Sequence, residues 1–95
     1  MTTMDLVFKP GMLVAYGEIR NGHMHHVIVL RQVKTVGKRF VLLHGSADRY
    51  RLTGQCTSST YRDRGVLPLT RALLAQAEQD KACDLGLALG YVLPD

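Results

Sequence analysis

At 95 residues, with 46% hydrophobic side chains and a net charge of +4, the chain holds material for one core, so a single domain over 1–95 is expected. That apolar fraction excludes default disorder, and no run approaches the roughly 18–20 apolar residues that span a bilayer. The opening residues lack a cationic, apolar leader, and Cys56 and Cys83 lie far apart and outside any C-x-x-C pair, so a cytoplasmic protein with free thiols and no membrane contact is expected.

Charge is unevenly placed. From Arg20 to Arg71 ten basic residues face two acids, Asp48 and Asp63, whereas both ends are net acidic. Local excess of this kind steers partners, while the total mostly governs solubility.

In chain order, Met1 to Lys9 reads as a short edge strand or a tail packing one aromatic, Phe8, onto the core. Pro10-Gly11 signals a type II turn, because proline presets one dihedral and glycine accepts the positive one. Met12 to Ile19 is the first strand, with Gly17 marking a bulge or close backbone approach. Arg20-Asn21-Gly22 turns the chain, since Asn-Gly tolerates left-handed dihedrals at both central positions.

The second run begins at His26. It is continuously apolar to Leu30 and then alternates to Val36, which fits a strand buried on both faces at one end and bending away at the other. Gly37-Lys38 reads as a type II′ hairpin turn, followed by a strand over Arg39 to His44. Gly45 to Asp48 connects to Arg49 to Thr53, where charged and apolar residues alternate. Tyr50 and Leu52 are expected in the core and Arg49 and Arg51 outside.

Gly54 to Ser59 lacks periodicity and reads as an exposed loop. Val66 to Leu69 suits an edge strand, because Pro68 cannot donate to a ladder. Thr70 is a candidate N-cap for a helix rich in Ala, Leu, Gln and Glu over 70–85, with Leu69, Leu73, Leu74 and Ala77 on one face. Gly86 or Gly90 ends it. Residues 86–95 read as a final strand or a packed tail.

Five short strands with glycine-marked turns and one terminal helix over 11–69 and 70–85 resemble the SH3-like small β-barrels, the group that includes KOW, Tudor and chromo-type modules. The resemblance implies a mainly β, five-stranded barrel with a C-terminal α-helix. The chain lacks the acidic loop and Trp of true SH3 domains, and only Tyr16, Tyr50, Tyr61 and Phe40 offer an aromatic cage of Tudor type. An OB-type barrel is the nearest rival, though its helix usually falls between strands three and four.

The candidate surface is the arginine-rich meander. Arg49 and Arg51 share a face; Lys38, Arg39, Lys34 and Arg31 extend it, and Arg62 and Arg64 repeat the two-residue spacing after the loop. Cations near phosphates release counterions, so such a face gives salt-dependent affinity for nucleic acid without sequence readout. Tyr61 beside Arg62 offers a ring for base stacking, or else anchors the loop by burial. The competing reading is a small adaptor or inhibitor, of the sort phage or mobile-element proteins provide, docking on an acidic protein surface.

His23, His25 and His26 bring at most two converging ligands from one strand, short of a metal site, and none is expected. No nucleophile elbow, P-loop or carboxylate pair appears, so neither catalysis nor a cofactor is expected. The apolar face of the helix covers the open end of the barrel, or it pairs with a second copy or a host protein, which exposure of Leu85, Leu87 and Leu89 would favour.

Overall fold

A computed structural model of the chain describes residues 6–93; the expectations for Met1 to Asp5 and for Pro94 and Asp95 lie outside them. The fold is mainly β, with strands β1 (Leu13–Arg20), β2 (His23–Val36), β3 (Phe40–Leu43), β4 (Arg49–Arg51) and β5 (Arg64–Pro68), and one helix, α1 (Arg71–Gln79). All neighbours are antiparallel, in the order β4-β3-β2-β1-β5.

β2 is the spine. Its first ten residues pair with β1, and from Val33 onward it pairs with β3. Around this bend Leu30 and Val33 face opposite sides, and both are fully buried. One core lies on the concave side, with Phe8, Val14, Val33, Val41, Leu43, Tyr50, Cys56 and Val66. The other lies between the opposite face of β1–β2 and α1, where Leu13, Ala15, Leu30, Leu69 and Ala77 meet. Within the continuous apolar run, Val27 and Leu30 are buried in this second core, whereas Ile28 and Val29 are only half-buried, so the run is not buried on both faces as expected.

Several local expectations are met. Lys9 O accepts from Met12 N across Pro10-Gly11 at 3.2 Å, and Asn21 and Gly22 both take positive φ, 53° and 79°. The β1–β2 register shifts at Gly17, where an added Cβ would lie 1.6 Å from the His26 carbonyl oxygen. Thr70 caps α1, its Oγ1 accepting from Leu73 N at 3.2 Å. The N-terminal segment Leu6 to Lys9 is a tail, with Phe8 buried and Leu6 N donating to Leu52 O.

Other expectations are corrected. β2 starts at His23 rather than His26, because the two-residue turn places Arg20 opposite His23 at once. The type II′ turn at Gly37-Lys38 does not form: Gly37 lacks positive φ, Arg39 belongs to the turn, and Gly37 N donates to Phe40 O. β4 stops at Arg51, since Gly54 N donates back to Arg51 O in a tight turn.

Gly54 to Ser59 is not an exposed loop. Gly54 and Cys56 are buried, and this segment bridges the two ends of the sheet. Arg51 N donates to Gln55 O on the β4 side, and Cys56 N donates to Arg64 O on the β5 side. Gly54, at φ 93°, abuts Val66, whose carbonyl oxygen would lie 2.2 Å from an added Cβ. The five-strand ladder itself is open, since β4 and β5 are not paired with each other.

α1 ends at Gln79 rather than near Leu85. Asp80 caps it, Lys81 turns left-handed at φ 53°, and Ala82 N donates to Ala77 O in a Schellman-type closure. The chain is then drawn onto β2: Cys83 N donates to Ile28 O and Leu30 N to Cys83 O. This satisfies backbone groups on the β2 edge that β3 leaves uncovered. The last described residues form a 3-10 turn, Leu85–Ala88, and a tail to Leu93, not a strand. Tyr91 anchors the tail, its hydroxyl accepting from Leu13 N.

Candidate nucleic-acid interface

Six of the predicted cations fall into two groups, with Lys34 and Arg62 apart from both. On the β3–β4 hairpin, Phe40 pairs with Arg51 and Leu42 with Arg49, so these four side chains share the face opposite Val41 and Tyr50. Val41 and Tyr50 are buried, while Arg49 and Arg51 are exposed. The Arg49 guanidinium sits 4.7 Å from the Phe40 ring centroid, a cation–π contact.

Lys38 and Arg39, in the turn beside Phe40, complete the group. Two shallow grooves adjoin there: one runs between Lys38, Arg39, Phe40 and Arg51, the other between Thr35, Lys38, Phe40, Leu42 and Arg49. Among the described residues none of these four cations enters an ion pair with an acid. Lys34 is exposed at the irregularity between Val33 and Thr35, and Thr35, not Lys34, is the β2 residue opposite Leu42.

The second group surrounds a pocket of about 300 Å³ on the concave side, reached by β1, β2, β4, β5 and their connections. Tyr16, Tyr50 and Tyr61 supply its aromatic walls, Arg31 and Arg64 its cations, and Ser46 and Asp48 its acceptors. Tyr50 is 3% exposed and meets Tyr16 edge to face, with centroids 6.1 Å apart. Its hydroxyl lies 3.3 Å from Ser46 Oγ. Burial pushes the Tyr50 phenol above its ordinary value, opposed by the Ser46 bond.

Tyr61 is 39% exposed and the Arg64 guanidinium lies 5.2 Å from its ring centroid. Facing the Tyr16 phenol holds the Arg64 pKa above the usual arginine value, which favours its charged form. Arg31 reaches Asp84 only at 3.9 Å, with both side chains partly solvated. Arg62 lines a separate groove beside Asp63 and Gln55. The aromatic candidates therefore divide: Tyr16, Tyr50 and Tyr61 converge, whereas Phe40 belongs to the hairpin.

Sequence reasoning does not single out Ser46 and Asp48 as binding residues. They follow Gly45 in a connection that reads only as polar, and their place at the pocket depends on Tyr50 being turned inward. His23 and His25 are exposed on β2 on either side of buried Met24. Among the described residues no helix is long and apolar enough to cross a membrane. No protein family, curated protein or solved structure matches the chain.

Proposed function

We propose that the chain is a non-catalytic binding module that takes nucleic acid on the outer face of its β3–β4 hairpin, by charge and shape rather than base sequence. The observation that carries this reading is the set Lys38, Arg39, Arg49 and Arg51 around Phe40, without an acid paired to any of them among the described residues. Each such cation placed at a phosphate releases a condensed counterion, and several on one face give affinity without touching the bases. The groups on offer are donors and ring faces, which suit holding a polyanion. At the finer level we read the fold as an SH3-like small barrel, a reading supported by the bend in β2 and by the Gln55–Cys56 bridge between β4 and β5.

The test is fluorescence anisotropy with labelled random-sequence DNA and RNA at low salt. Dissociation constants of about micromolar order are expected, as nonspecific phosphate binding supplies. An acidic protein surface is the competing occupant of the same face, and it would leave the chain without affinity for any of these oligonucleotides. Self-association through the C-terminal tail is a separate proposal, supported by the exposure of Leu87, Leu89 and Val92, and native mass measurement reads it directly.

A further inference from the structure

We infer that the pocket walled by Tyr16, Tyr50 and Tyr61 seats one unpaired nucleotide, its base beside Tyr61 and its phosphate turned to Arg31 and Arg64. This rests on the nucleic-acid reading and narrows it from any polyanion to a single strand.

Three features carry the inference. The first is shape: at about 300 Å³ the pocket is at the small end of ligand sites, which run from about 300 to 1,000 Å³. A base splayed out of a single strand enters such a space, whereas the bases of a duplex stay stacked inside it.

The second is preorganisation. Tyr50 is fixed by burial and by Ser46, and Tyr16 is set against it edge on. Tyr61 stands on a 3-10 turn whose first amides are held by Ser58, its Oγ accepting from Thr60 N at 3.3 Å. An exposed ring on a fixed support is a stacking platform that costs little ordering on binding.

The third is charge. Three tyrosines would equally suit a cation, but the Tyr61 ring already faces the Arg64 guanidinium, and Arg31 enters from β2. The pocket lining carries two guanidinium groups against the one carboxylate of Asp48, which favours an anion, while Asp84 and Asp63 act on Arg31 and Arg64 from outside the lining. The long Arg31–Asp84 pair leaves Arg31 open to a better partner, since partly solvated pairs at such distance hold weakly. The Asp48 carboxylate then remains for a donor on the polar edge of the base.

The experiment compares short single-stranded oligonucleotides with a duplex of the same sequence by anisotropy, for the wild-type chain, Tyr61→Ala, Tyr61→Phe, Arg31→Gln and the double variant R49Q/R51Q. Tyr61→Ala should weaken single-strand binding about tenfold, as removal of one stacked base implies, and leave duplex binding unmoved. Tyr61→Phe should keep wild-type affinity, and Arg31→Gln should weaken the single strand more than the duplex. R49Q/R51Q should weaken both forms. If Tyr61→Ala and Arg31→Gln leave single-strand affinity at the wild-type value while R49Q/R51Q weakens it, the pocket inference falls and the hairpin reading stands. If the wild-type chain binds neither form at low salt, both fall. Should Tyr61→Ala fail to fold, Arg31→Gln, at a half-exposed position, decides alone.

Discussion

A methyl group on Gly17 would lie 1.6 Å from the carbonyl oxygen of His26, and the backbone at both residues is held in the same ladder. Neither can move without breaking register, so Gly17→Ala should cost about 1–3 kcal/mol, the usual penalty of overpacking. In a domain of this size that is a fall of about 4–8 °C in Tm for each kcal/mol. Gly86→Ala is the control, since nothing lies within 4 Å of an added Cβ there, and it should stay within about 0.5 kcal/mol of wild type.

Tyr50 makes a pH prediction. Burial raises its phenol pKa in the folded chain above the ordinary 10.0, so the folded state holds its proton more tightly than the unfolded one. The stabilisation is fully present below pH 10 and is lost as pH rises through the folded value. Thermal melts should therefore show Tm falling above pH 10, and falling less in Tyr50→Phe. An equal fall in both would assign the effect to other groups.

At the level of elements, what was legible in the sequence was what is encoded locally. The Pro10-Gly11 and Asn21-Gly22 turns depend on dihedral preferences of the residues themselves, and the Thr70 cap depends on one hydroxyl next to free amides. Thr70→Ala should accordingly cost about 1 kcal/mol, read as a shift in the chemical-denaturation midpoint with an unchanged slope. Features decided by distant partners were not legible. Lys81 and Ala82 are compatible with more helix, yet the chain leaves α1 because Cys83 completes the free edge of β2. Gly54 to Thr57 shows no alternation, yet it crosses the gap between β4 and β5, where backbone pairing rather than side-chain pattern sets its course. The turn expected at Gly37-Lys38 is displaced for a related reason: the chain turns one residue later, with Lys38 and Arg39 between Gly37 and Phe40.

For the whole molecule, the alternation of Arg49, Tyr50 and Arg51 was enough to place two cations outward, and the structure sets them beside Lys38, Arg39 and Phe40. It does not gather all the predicted cations on one face. Arg31 and Arg64 turn to the concave side because β2 and β5 present those positions on the same side as Val33 and Val66. Only the curl of the sheet brings Tyr16, Tyr50 and Tyr61 from three distant positions to one pocket, and no spacing within a single strand announces that. We propose that the outer hairpin face neutralises phosphates. This is tested most directly by the salt dependence of oligonucleotide affinity from about 50 to 200 mM salt for the wild-type chain and R49Q/R51Q. The expected result is a linear log–log plot whose slope becomes shallower in the variant by up to about 1.8 for duplex DNA, near 0.9 for each phosphate that is no longer neutralised. Superimposable slopes for the two proteins would contradict it.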